Sequence, residues 1–166
     1  MGLVNLIDVL DRMVEVHEEL LQFAELKKTT LIANNVNDLT QILNKESKLM
    51  KQVQELEEER VQQVSLFLKD KGLPANPRTS ISDMVKLVAN LEDKSRLLAS
   101  QRRLIEVIED LKRRNELNQQ LIEQSLMYIN YSYDVFLGPD EDPIYHKPAQ
   151  SASSFAQRNG YFDTKA

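Results

Sequence analysis

The sequence has no cysteine and no tryptophan, and little glycine (4) or proline (5). Without cysteine there are no disulfides, no thiolate zinc sites and no thiol catalysis. Sparse glycine and proline argue against a turn-rich β-sandwich and for helices with few interruptions. No apolar run approaches the roughly 20 residues that span a bilayer, so membrane insertion is not expected. The opening MGLVNLIDVL carries an acid where a signal peptide carries a base, and Leu6 stands where a myristoylation signal has Ser or Thr. A cytoplasmic protein is therefore expected. A dominant charge of one sign is missing too. Lys and Arg number 21 against 26 Asp and Glu, giving −5 over 166 residues with the signs interleaved. That balance favours solubility and gives no reason to expect nucleic acid or an anionic membrane as partner.

Catalytic motifs are equally scarce. There is no glycine-rich phosphate loop and no nucleophile motif. The two histidines are His17, within a helical pattern, and His146, near the end. Val14 lies three residues before His17, so the Glu-x-x-His signature of di-iron bundles is absent. The reading is of a protein that is not an enzyme and holds no metal or cofactor.

What the chain does have is long heptad patterning. Leu3, Ile7, Leu10, Val14, Leu21, Ala24 and Leu31 follow alternating four- and three-residue steps interrupted only at His17 and Lys28, which predicts a helix over about 3–33. Leu6, Met13 and Leu20 broaden that face, enough for either closure within the chain or a homodimer. At NNVND, Asn34 or Asn35 suits the left-handed end of one helix, and Asn37 suits the cap of the next. The second helix is expected over 38–71, ended by Gly72 and the prolines of GLPANPRTS. Ser80 with Asp83 reads as a capping box for a short helix over 81–89. Asn90 with Asp93 opens the last helix, over 91–133, whose seam includes Leu97, Leu104, Ile108, Leu111, Asn115, Asn118 and Ile122. The expected fold is all-α: an elongated antiparallel bundle of three long helices plus one short one over 1–137. A disordered, flexible tail over 138–166 is expected to follow, because its prolines, acids and small polar residues bury too little to offset ordering.

Aromatics are unevenly placed. Eight of the ten lie from Tyr128 onward, and only Phe23 and Phe67 precede it. Rings offer contact area at low entropy cost and are favoured at interfaces. The consecutive Asn115 and Asn118 also stand out, because a buried Asn trades stability for register.

The stretch LIDVLDRMVEVHEELLQFAELKKTTLIANNVNDLTQILNKESKLMKQVQELEEER resembles the N-terminal helical hairpin of the FlgN family of cytosolic flagellar export chaperones. LKRRNELNQQLIEQSLMYINY resembles the family's last helix, and YFDTKA its end. The resemblance implies that the chain binds hook-associated proteins of the hook–filament junction, covers their C-terminal helical segment before assembly, and delivers them to the export gate and its ATPase components. On this reading the cargo lies as a helix along Leu121, Ile122, Leu126, Ile129 and Tyr133, with Asn115, Asn118 and Gln124 setting register. The family's aromatic–glycine step, linked to gate docking, is matched by Phe136-Leu137-Gly138, with Tyr145 competing. Phe155, Tyr161 and Phe162 are further tail anchors. The rival is a coiled-coil adaptor without chaperone activity, which explains the heptads equally well.

Overall fold

The structure, a computed structural model, describes residues 2–137. Tyr145, Phe155, Tyr161 and Phe162, and the tail expected over 138–166, lie outside them. Four helices account for most of the described chain: α1 (Gly2–Ile32), α2 (Val36–Asp70), α3 (Ile81–Leu87) and α4 (Leu91–Leu137). Three are long, one is short, and no strand is present among the described residues. The chain divides into two units, Met1–Gln124 and Ser125–Ala166, with the boundary inside α4.

Side-chain chemistry sets each helix end. Asn34 takes a positive φ of 53°. Asn35 N then donates to Thr30 O (3.2 Å) and Asn34 N to Leu31 O (3.3 Å), the paired bonds that close a helix C-terminus. Asn35 also caps α2, accepting from Asp38 N through its side chain. The cap expected at Asn37 is therefore Asn35, and α2 begins earlier than its hydrophobic pattern. Gly72, at φ 70°, closes α2 with the same two bonds, Leu73 N to Leu68 O and Gly72 N to Lys69 O, both 2.9 Å. The Ser80–Asp83 capping box opens α3 as expected. That helix stops two residues short of its predicted end, where Val88 turns extended and is buried. Asn90 Oδ1 accepts from Glu92 N at 2.8 Å and starts α4. No breaker occurs before Gly138, and α4 continues past the expected Tyr133 to Leu137.

In the first unit, α1 and α2 run antiparallel. Arg12 pairs with Glu59 at 2.6 Å and Lys27 with Glu46 at 2.7 Å. At the open end of this hairpin the backbones come close, and a Cβ on Gly2 would lie 3.1 Å from Phe67 N. By contrast, α4 runs parallel to α1. Ser100 Oγ donates to Asp11 Oδ1 (2.7 Å) and Asn118 Nδ2 to Ala24 O (2.8 Å). The core gathers where α1 starts: Leu6, Leu10, Val64, Phe67, Met84 and Leu97 are buried together. Each such side chain contributes about 1.5–3 kcal/mol, so this end anchors the unit. His17 is buried, and its Nδ1 lies 2.6 Å from Met13 O, so the ring serves as an internal helix contact.

Candidate functional site

The second unit, in its described part Ser125–Leu137, is helical, with two apolar faces separated by Asn130 and Asp134 on one side and by Ser125 and Ser132 on the other. Leu126, Ile129, Tyr133 and Phe136 share one face by their three- and four-residue spacing. Met127, Tyr128, Tyr131 and Val135 occupy the other. All eight are exposed, from 44% at Ile129 to 86% at Phe136. Eight large apolar side chains exposed together on one short stretch of helix make a surface that lacks a partner among the described residues. The two earlier aromatics are used differently. Phe67 is buried in the core, and Phe23 lies under Lys45 Nζ, 5.6 Å from the ring centre. The contrast drawn from aromatic placement therefore holds for Tyr128, Tyr131, Tyr133 and Phe136.

The remaining predicted residues belong to the first unit and divide sharply. Asn115 and Gln124 are exposed, and Leu121 and Ile122 are half-buried. Asn118 is only 2% exposed and donates to Ala24 O, while its Oδ1 is buried without a protein partner. Asn118 thus faces α1 within the chain, with its amide turned to Ala24 O. The seam reading also missed Ser100 and Val107, which are buried, and included Ile108, which is 41% exposed. A cleft of about 270 Å³ opens beside these positions, lined by Leu20, Met50, Leu111, Asn115, Asn118 and Ile122.

The Glu59 carboxylate raises the Arg12 pKa and Glu57 raises that of Arg60, each chiefly through a side-chain hydrogen bond. The Ser80 hydroxyl holds Asp83 below the usual carboxylate range. Among the described residues, no cluster of three His, Asp or Glu is placed to hold a metal, and no helix is long and apolar enough to cross a membrane.

A family profile described as "FlgN protein" matches residues 1–153, all four helices included. The chain is 30% identical over 161 residues to "Uncharacterized protein YvyG" of Bacillus subtilis (strain 168), covering 97% of each. No solved structure matches it. A helical hairpin followed by a long last helix, matched along most of its length, places the chain: it belongs to the FlgN family, a family of chaperones.

Proposed function

We propose that the protein is a cytoplasmic flagellar export chaperone. Its client is the C-terminal helical segment of a hook-associated protein, which it shields from premature assembly and passes to the export gate. The carrying observation is the exposed apolar helix of Ser125–Leu137. A client helix would dock through its own apolar face against Leu126, Ile129 and Tyr133, with Phe136 adjoining. Burying Leu126 and Ile129, each a little under half exposed, is expected to contribute about 1 kcal/mol apiece. A binding constant near micromolar, about −8 kcal/mol, suits a chaperone that must release its client. Release falls to a competing partner at the gate, for which Phe136 and the ring-bearing residues Tyr145, Phe155, Tyr161 and Phe162 are the proposed contacts.

The test is calorimetric titration with a hook-associated C-terminal peptide. Leu126→Asp is expected to leave helicity and Tm unchanged and to weaken client binding about tenfold or more, since it places a charge at an apolar contact. Undiminished binding refutes the docking face, and unfolding of the free chain shows that the strip is core. A chain that binds no such peptide and leaves client solubility unchanged is an adaptor rather than a chaperone.

A further inference from the structure

A second unpartnered surface lies on the outer side of α4, within the first unit, and it is independent of the chaperone reading. Leu91, Leu98 and Ile105 stand at successive seven-residue steps, so they share one face of the helix. By the same helical geometry that face points away from Ser100 and Val107, which are buried. Leu91 is 82% exposed, Leu98 42% and Ile105 47%. Gln101 Nε2 donates to Ser82 Oγ at 3.1 Å, so the start of α3 borders this face on one flank and leaves its three apolar side chains uncovered.

The charges around the face indicate what fits it. Lys94 and Arg102 stand one turn before and one turn after Leu98, on its two sides, and Lys112 stands seven residues beyond Ile105. None of the three enters an ion pair among the described residues. The neighbouring Arg103, Arg113 and Arg114 are all paired, with Glu18, Asp110 and Glu25. Three unpaired cations therefore border an apolar row on a chain whose net charge is −5. We propose that this face docks an acidic amphipathic helix of a partner protein, one whose apolar residues recur every seventh position and whose flanks carry carboxylates. Such a helix packs its seam on Leu91, Leu98 and Ile105 and sets its acids against Lys94, Arg102 and Lys112. A second copy of this chain fits poorly. The antiparallel register that matches Leu98 with Ile105 of the copy brings Arg102 against its own counterpart, and a parallel register does the same to Lys94. An anionic bilayer also fits poorly, because the exposed Glu109 follows Ile105 by one turn on the same side of the helix.

Two synthetic helical peptides of three heptads, with the same leucine seam but flanked by Glu in one and by Lys in the other, serve as probes. Their binding to the full chain is read by fluorescence anisotropy. The Glu-flanked peptide is expected to bind about tenfold or more tightly than the Lys-flanked one, with the difference shrinking as salt rises. Leu98→Asp should weaken the Glu-flanked peptide about tenfold. Arg102→Glu combined with Lys112→Glu should reverse the preference between the peptides. These side chains are exposed, so far-UV circular dichroism should be unchanged throughout. Leu126→Asp should leave both peptides unaffected, and Leu98→Asp should leave binding of a hook-associated peptide unaffected, which separates this face from the proposed client site. Equal binding of the two peptides overturns the proposal. So does a preference that survives the charge reversal, or one that is lost through Leu126→Asp. Co-sedimentation with phosphatidylglycerol vesicles that Leu98→Asp abolishes overturns it in favour of a membrane. Self-association that the same variant abolishes overturns it in favour of a second copy.

Discussion

Asn118 offers the sharpest test of the bundle. Its amide donates one hydrogen bond, to Ala24 O at 2.8 Å, while its Oδ1 is buried without a protein partner. Replacing it with Leu removes a bond with a net contribution of about 1 kcal/mol and relieves about 1–3 kcal/mol from the unpaired oxygen. The adjoining cleft of about 270 Å³ gives room for the added methyl groups. Asn118→Leu is therefore expected to stabilise the protein by about 0–2 kcal/mol, raising Tm by up to roughly 8 °C for a chain of this size. Asn118→Asp removes the donor and sets a carboxylate against a carbonyl oxygen, at a cost of about 3–5 kcal/mol, comparable to breaking a buried polar pair. Thermal and urea unfolding followed by circular dichroism measure both. Client affinity should be unchanged in the Leu variant, because the side chain faces α1. The reasoning is refuted if the Asp variant lies within about 1 kcal/mol of the parent, or if Leu is as damaging as Asp.

Gly72→Ala meets no atom within 4 Å but must hold a φ of 70°, so it should lose about 1 kcal/mol through backbone strain alone. Ser80→Ala removes the main cause of the depressed Asp83 pKa, so that pKa should rise toward about 3.9 in a carboxylate-resolved NMR titration. In the parent, the capping contribution of Asp83 is complete above the unfolded carboxylate pKa and is lost as pH falls through the lower folded value. Hydrogen exchange in α3 should accelerate only below about pH 4 in the parent. In Ser80→Ala it should be faster already at neutral pH.

Helix existence and most ends were legible because local chemistry decides them. The αL-tolerant Asn34 and Gly72, the Ser80 box and the Asn90 cap all act within four residues of themselves. Asn35 was passed over as the cap because Asn34, Asn35 and Asn37 share one propensity, and the choice among them depends on how sharply α1 ends. Which residues of α4 face inward was less legible. A strict seven-residue seam drifts on a straight helix. Packing buries Ser100 and Val107, which the seam left out, and leaves Ile108 and Asn115 of the seam exposed, while Asn118 of the seam is buried. For the candidate strip, the sequence showed that rings cluster from Tyr128 onward, but their exposure depends on which surfaces the rest of the chain leaves uncovered.

The joint between the first two helices has an evolutionary corollary. Asn35 belongs at once to the closing bonds of α1 and to the opening cap of α2. An inserted or deleted residue there would separate these two duties and unseat both arms together. Whole-heptad changes would keep the arms in register, whereas a change of one residue at the elbow would not.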